Sequence, residues 1–206
     1  MTAADRPHAS KTRLLDAAMR VIRAQGYAAT TVEDICAAAG LTKGSFFHHF
    51  ASKEELALAA AAHFAANADA LFAQAPYRAL PDARERVLGY VDFRKTLLTG
   101  TLPEFTCLLG TMVQETYATH PALREACETH IKAHADTIAR DAAAARAERA
   151  PDAGWSAESL ALFTQAVLQG AFILAKAGGG PAVADACLSH LRRYLELLFD
   201  QPESKE

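Results

Sequence analysis

The sequence TVEDICAAAGLTKGSFFHHF at residues 31–50 decides the fold. Thr31 and Asp34 supply a hydroxyl and, three residues later, a carboxylate, which is the spacing of a capping box at a helix N-terminus. Gly40 accepts a positive φ that ends this short helix, and Thr42 can cap a second one. The stretch therefore predicts two short helices joined by a tight turn.

The second of these helices, which begins after Thr42, has a buried and an exposed side. Its inner side buries Phe46 or Phe47 together with Phe50. Its outer side carries small polar and basic residues: Thr42, Lys43, Ser45 and His48. The major groove of DNA admits a short helix of this kind, and a helix N-terminus with a lysine favours phosphate. The pattern therefore indicates duplex DNA as a partner.

Helical patterns continue on both sides of this pair. Residues 10–25 place apolar side chains on one face and are followed by Gly26, which suits a helix end. Ser52 and Glu55 form a second capping box, and the helix that starts there extends to about residue 74. Gly and Pro residues then separate further helices, expected at 82–99, 103–120, 121–149, 156–176 and from Pro181 onward. The chain is predicted to be all-α, with about nine helices.

The composition fits a globular protein without identifying a partner. The 206 residues are 51% hydrophobic and 22% charged, with a net charge of −3. Residues 1–55 hold seven basic and six acidic side chains, so an argument for DNA must rest on where charges lie. No uninterrupted apolar run is long enough for a membrane span, and the first residues lack the apolar stretch of a secretory signal. We therefore expect a cytoplasmic protein.

Little in the sequence suggests catalysis or metal chemistry. There is no GxSxG, HExxH or phosphate-binding glycine loop, so we expect no enzymatic activity and no cofactor. The four cysteines are far apart and include no CxxC pair, which indicates reduced thiols. His130 and His134 are four residues apart on one predicted helix and could meet a metal together. Solvated histidines are the simpler interpretation, and no metal is expected.

The longer string TVEDICAAAGLTKGSFFHHFASKEEL, residues 31–56, resembles the DNA-binding signature of the tetracycline-repressor (TetR) family of bacterial regulators. The resemblance extends over roughly residues 10–58. It implies a three-helix helix-turn-helix DNA-binding domain at residues 1–55 and a helical ligand-binding and dimerisation domain at 56–206. It also implies a homodimer that binds a palindromic operator and is released from it by a small-molecule inducer.

The resemblance assigns DNA contacts to particular side chains. Thr31 would meet phosphate at the start of the second helix, and Lys53 at the start of the fourth. The residues expected at or near base edges and phosphates are Thr31, Thr42, Lys43, Gly44, Ser45, Phe47, His48 and Lys53. The family commonly has Tyr where this chain has Phe47, so the phosphate bond of that hydroxyl is missing here. His49 is equally compatible with a structural role.

The last two predicted helices suggest a dimer interface. Residues 157–177 are apolar nearly all round, and the final helix repeats the pattern, so both need burial on two sides. In the family these helices form a four-helix bundle with a second subunit, although an ordinary core hairpin also fits the residues. The expected interface comprises Leu160, Val167, Leu174, Cys187, Leu191, Tyr194 and Leu198.

A ligand pocket is expected among the helices between about residues 82 and 177. The candidate lining residues are Phe93, Phe105, Cys107, Met112, Tyr117, Trp155, Phe163, Gln169 and Phe172. Cys107 lies in the string TCLLG, which resembles strings in family members that respond to electrophiles, but no nearby base would activate its thiol. A cysteine-based electrophile or redox sensor therefore stays an alternative, as does an activator in place of a repressor.

Overall fold

The computed structural model describes residues 5–200, with side chains from residue 9 onward, and this part of the chain is helical without β-strands. The helices are α1 (Asp5–Gln25), α2 (Val32–Ala39), α3 (Lys43–His49), α4 (Lys53–Ala73), α5 (Ala83–Thr96), α6 (Leu102–Phe105), α7 (Leu108–Thr116), α8 (Pro121–Arg149), α9 (Ala157–Leu174) and α10 (Gly180–Phe199). A 3₁₀ turn at Pro76–Ala79 precedes α5, and a π turn at Ala175–Gly179 precedes α10. The fold class is therefore confirmed: α6 is a single turn, and the other nine helices match the expected number.

Caps at the ends of the helices explain why they begin and end where they do. The Thr31 hydroxyl accepts from the Asp34 N–H, and the Asp34 carboxylate accepts from the Thr31 N–H, so the capping box is complete. Ser156 and Asp82 cap α9 and α5 in the same way, each accepting from the backbone N–H three residues later. Gly40 ends α2 at φ 61°, a left-handed conformation that suits glycine.

The first compact unit comprises residues 1–69 and 106–131. α1 packs against α2, α3 and α7 in this unit. Its largest fully buried side chains are Leu14, Ile22, Ile35, Phe46, Leu56, Leu108, Met112 and Leu123. Packing thus groups residues 56–69 and 106–131 with the N-terminal helices, whereas the boundary expected from the sequence lies at residue 55. The difference arises because α7 and the start of α8 contribute side chains to the core around α1.

The second compact unit comprises residues 70–105 and 132–206. α10 packs against both α9 and α5, and α5 packs against the 3₁₀ turn. The largest fully buried side chains of this unit are Val87, Leu168, Leu188 and Leu195.

Two helical stretches, Lys53–Ala73 and Ala157–Phe199, are long and apolar enough to span a membrane by length and composition. Both stretches contain scattered polar residues, so neither forms an uninterrupted apolar run in the sequence. Core helices of soluble proteins satisfy the same test, so the finding is weak evidence for a membrane protein.

Candidate DNA-binding surface

The turn between α2 and α3 is held by backbone and by arginine side chains of α1. The Gly40 N–H donates to the carbonyls of Cys36 and Ala37. Arg13 donates to the carbonyls of Ala39 and Gly40, and the neighbouring arginine of α1, Arg20, donates to that of Ala38. These guanidinium groups satisfy carbonyls at the C-terminus of α2, where the helix dipole is negative. Sequence reasoning missed both, because only the fold brings α1 to this end of α2.

Phe46 fixes the rotation of α3 about its axis. It is fully buried (0% exposed), and its ring contacts the rings of Phe47 and Phe50 with centroids 5.1 and 5.8 Å apart. Phe50 is also buried, whereas Phe47 is 57% exposed. The sequence left Phe46 and Phe47 as alternatives for the inner side, and the structure selects Phe46.

The exposed side of α3 carries the residues expected to contact DNA. Thr42, Lys43, Gly44 and His48 are exposed and Ser45 is half-buried. The Thr42 hydroxyl accepts from the Ser45 N–H as the N-cap of α3. Lys43 forms an ion pair with Glu33 of α2, and this hydrogen bond lowers the pKa of the Glu33 carboxyl. The cation at the start of α3 is therefore partly neutralised within the chain.

His49 turns away from this exposed side. Its Nε2 lies 2.6 Å from the Ser10 hydroxyl of α1. Burial lowers the pKa of His49, and the positive charges of His48 and Lys11 lower it further. These contacts support the structural interpretation of His49, and they leave His48 as the histidine on the outer side of α3.

Thr31 and Lys53 both have partners inside the chain. The Asp34 carboxylate accepts from the Thr31 N–H and from the Thr31 hydroxyl, and these two hydrogen bonds lower the pKa of Asp34. The Lys53 ammonium donates to the carbonyls of Tyr27 and Thr30 at 3.0 and 2.9 Å and lies 4.3 Å from the centroid of the Tyr27 ring. Lys53 thus holds the loop between α1 and α2, a role that differs from the phosphate contact implied by the resemblance.

The same loop is also held by α7 and by the residue just before α8. The Glu115 carboxylate of α7 accepts from the Ala28 N–H at 2.7 Å. The His120 ring packs edge-on against Tyr27, with centroids 5.3 Å apart. The loop that precedes α2 is therefore fixed from the α7 side, and no local sequence signal marks Glu115 for this role.

The outer face of α9 and α10 is apolar, but its membership differs from the expected interface. Leu160 and Leu191 are 4% and 3% exposed, so they belong to the core of the protomer and were wrongly assigned to the interface. Val167, Cys187 and Leu198 are half-buried. The exposed large apolar side chains on these helices are Leu162, Phe163, Ile173, Leu174, Tyr194 and Leu197. We call this set the α9–α10 face.

The expected pocket residues are divided between the two compact units. Met112 is fully buried in the core of the first unit, whereas Tyr117 is 63% exposed. Phe163 is exposed, and its ring packs on Tyr194 of the α9–α10 face. Four others make aromatic contacts within the second unit: Trp155 with Phe199, Phe105 with Phe172, and Phe93 with Phe72 and Tyr77. Gln169 is half-buried. The exposed residues Tyr117 and Phe163 are therefore corrections to the expected pocket, and the other assignments stay predictions.

A different polar cluster lies within the second unit. Arg94 Nε donates to the Tyr90 hydroxyl at 2.9 Å, and that oxygen is 3.0 Å from His134 Nε2. The buried amide of Gln165 donates to the same hydroxyl at 3.3 Å. Burial, with the charge of Arg94, lowers the pKa of His134 to about 3. The sequence singled out His134 only as a possible metal ligand, and its ring instead serves this cluster.

All four cysteines are free thiols. Cys107 is half-buried, and its Sγ accepts from the Gly110 N–H at 3.4 Å. Burial raises the pKa of Cys127 to about 11, so this thiol stays protonated. Within residues 5–200, no three His, Cys, Asp or Glu side chains come close enough together to hold a metal ion.

Two family profiles match this chain. Residues 14–60 match the family described as "Bacterial regulatory proteins, tetR family". Residues 83–191 match "Tetracyclin repressor-like, C-terminal domain". The first range contains α2 and α3, and the second contains α5 to α9 and part of α10.

Characterised relatives match over short stretches of this chain. The HTH-type transcriptional repressor KstR2 of Rhodococcus jostii is 50% identical over 46 residues, which cover 22% of each chain. The HTH-type transcriptional regulator CymR of Pseudomonas putida is 41% identical over 58 residues, 28% of this chain and 29% of that protein. The match thus spans less than a third of the length of either relative.

Solved structures match over nearly the whole chain. A TetR transcriptional regulator from Chloroflexus aurantiacus superposes with a TM-score of 0.81 at 27% identity, covering 93% of this chain and 96% of that one. A TetR-family regulator from Cytophaga hutchinsonii gives a TM-score of 0.79 at 20% identity, with 98% and 99% coverage. The fold is shared with these proteins.

Proposed function

Because the chain belongs to the TetR family of bacterial regulatory proteins, we propose that it is a repressor that leaves its operator when a small molecule binds. The chain is a DNA-binding transcriptional regulator and not an enzyme. The observation that carries the proposal is the exposed side of α3. Lys43, Phe47 and His48 lie there and take no part in the core. A helix with this surface suits the major groove.

The α9–α10 face supports a homodimer. Leu162, Leu174 and Leu197 are 56%, 51% and 65% exposed, and the rings of Phe163 and Tyr194 connect the two helices with centroids 5.1 Å apart. Apolar patches of this kind are usually covered by a partner. A two-fold dimer presents two copies of α3 to successive major grooves, about 34–36 Å apart, which suits a palindromic operator in the cytoplasm. An inducer that prefers a dimer with another spacing weakens operator binding by its differential affinity for the two states.

Selection of duplexes from a random library, followed by fluorescence anisotropy across salt concentrations, tests the DNA-binding role. Lys43→Ala should weaken binding to every sequence and reduce the steepness of the salt dependence. Each phosphate contact contributes about 0.9 to the slope of log K against log salt, so two copies of α3 should lower its magnitude by about 2. Lys132→Ala is the matched control, because Lys132 is an exposed lysine of α8 that pairs with Asp136. An unchanged slope for Lys43→Ala would contradict a phosphate role.

The dimer is tested by sedimentation of the free protein. Leu197→Asp places a charge on the α9–α10 face and should yield monomers that bind the selected duplex poorly. Leu80→Asp is the control, because Leu80 is also exposed (39%) but lies outside that face. A wild type that sediments as a monomer at micromolar concentration would overturn the proposed dimer.

A further inference from the structure

Arg94 differs from most other arginines of the second unit in its partners. Five of them pair with carboxylates of the same unit: Arg78, Arg84, Arg86, Arg149 and Arg192. Arg94 contacts only neutral groups, the Tyr90 hydroxyl at 2.9 Å and His134 Nε2 at 3.3 Å. Within residues 5–200, no carboxylate lies within ion-pair distance of Arg94. The guanidinium therefore carries a charge without a counter-charge nearby.

The surroundings of Arg94 make this charge unusual. The guanidinium lies 4.6 Å from the centroid of the Phe72 ring and 5.5 Å from that of Tyr90. Phe93 packs edge-on against Phe72, with centroids 5.3 Å apart. The low pKa of His134 keeps its imidazole neutral, so the histidine adds no charge at neutral pH. A half-buried cation among aromatic rings is costly to fold unless something compensates it. Ring faces contribute part of that compensation, but they do not neutralise the charge.

The donors of Arg94 are only partly used. A guanidinium has five N–H groups, and those of Arg94 have two acceptors among the described residues. Elsewhere in the described chain, Arg84 Nε and Arg146 Nε are buried donors without a partner, and no atom of Arg94 shares that status. Arg94 Nη1 has no partner among the described residues and is not fully buried, so its N–H groups can reach a ligand. Two parallel N–H groups on a planar fork match the two oxygens of a carboxylate.

We infer that Arg94 is the anion receptor of the second unit and that the inducer is a small organic carboxylate with an apolar body. One negative charge neutralises Arg94, whereas a phosphate dianion would leave an excess charge against Phe72 and Phe93. Tyr90 and Gln165 hold the guanidinium side of the site, since Gln165 and Arg94 both donate to the Tyr90 oxygen. That this ligand is the inducer rests on the proposed function; that it binds at Arg94 does not.

The test uses DNA-free protein and pairs of acids with their neutral amides. Benzoate, phenylacetate and hexanoate are each compared with benzamide, phenylacetamide and hexanamide by isothermal titration calorimetry. A hydrogen-bonded charge pair should make at least one acid bind about tenfold or more tightly than its amide, with a Kd of about 1 mM or lower. The signals of the His134 ring and the Gln165 side-chain amide should shift with that acid in NMR spectra.

Variants then locate the binding. Arg94→Met should bind acid and amide equally, whereas Arg94→Lys should keep only part of the preference because it lacks the planar fork. Arg192→Gln should keep the full preference, since Arg192 pairs with Asp92 and lies outside the cluster. The NMR shifts are measured on the wild type, so they test binding at this cluster even if Arg94→Met misfolds.

Two results would overturn the inference. The first is that no acid of the three is preferred over its amide by the wild type. The second is that a folded Arg94→Met keeps the preference. Failure of the proposed function gives a different result. If the protein prefers the acid but binds no selected duplex, the anion site is supported and the repressor function is contradicted.

Discussion

Gly26→Ala should damage the loop before α2 through a contact with α7. Gly26 has φ 89°, a conformation that costs a residue with a side chain about 1–2 kcal/mol. A Cβ at this position would lie 2.9 Å from Cδ of Glu115 and closer still to its Oε1. The carboxylate must therefore move, and its 2.7 Å hydrogen bond from the Ala28 N–H breaks. That loss adds about 1 kcal/mol.

A double-mutant cycle separates the two effects. Glu115→Ala alone loses the hydrogen bond and should cost about 1 kcal/mol of unfolding free energy. Gly26→Ala alone loses the same bond and adds the backbone strain, for about 2–3 kcal/mol in total. In the double variant the bond is lost only once, so its cost should also be about 2–3 kcal/mol. The two changes should therefore be non-additive by about 1 kcal/mol.

The cycle is measured by urea denaturation at a fixed protomer concentration, followed by circular dichroism. Hydrogen exchange of the Ala28 amide gives a local readout and should accelerate about fivefold in Glu115→Ala. Gly154→Ala is the control, because a Cβ there meets nothing within 4 Å, and its effect should stay within about 0.5 kcal/mol. Additive costs for Gly26→Ala and Glu115→Ala would refute the displacement of the carboxylate.

Glu33→Gln should raise affinity for selected and random duplexes alike, because it releases Lys43 from its ion pair; anisotropy with both duplexes measures this, and weaker binding would contradict it. The wild-type free energy of unfolding should fall by about 1.4 kcal/mol per pH unit as the pH drops from 6.5 toward 3. In this range His134 binds a proton in the unfolded chain but stays neutral in the folded protein, where its pKa is about 3. Denaturation across that range should show a shallower fall for His134→Gln. Arg13→Ala should cost about 1 kcal/mol, since the last carbonyls of α2 lose their donor. An equal cost for exposed Arg140→Ala, in the same denaturation assay, would count against that reason.

Local sequence signals predicted the elements because local contacts define them. The capping box of Thr31 and Asp34, the N-cap of Thr42 and the left-handed Gly40 each involve residues within four positions of one another. Such contacts form whatever the rest of the chain does, so their spacing can be recognised in the sequence. The same reasoning located the exposed side of α3.

Contacts between distant residues could not be predicted in this way. Lys53 looks like a phosphate ligand at a helix start, but the fold places the Tyr27 and Thr30 carbonyls beside its ammonium. Leu160 and Leu191 lie on apolar stripes of helices that are apolar on two sides. The periodicity of the apolar residues identifies the stripes but does not show which stripe faces the core. Neighbouring residues are about 100° apart around the helix axis, so they fall on different stripes.

The exposed side of α3 and the Arg94 cluster share one property that the sequence pattern does not reveal. Phe47 is 57% exposed, and Arg94 has no carboxylate partner among the side chains that the structure describes. Apolar area that stays exposed contributes little to folding, and the ring faces around Arg94 compensate only part of its charge. Buried Phe46 and the paired Arg192, by contrast, are accounted for by packing and by ion pairing. Features that folding does not require are candidates for binding, which is why we propose duplex DNA as the partner of α3 and an anion as the ligand of Arg94.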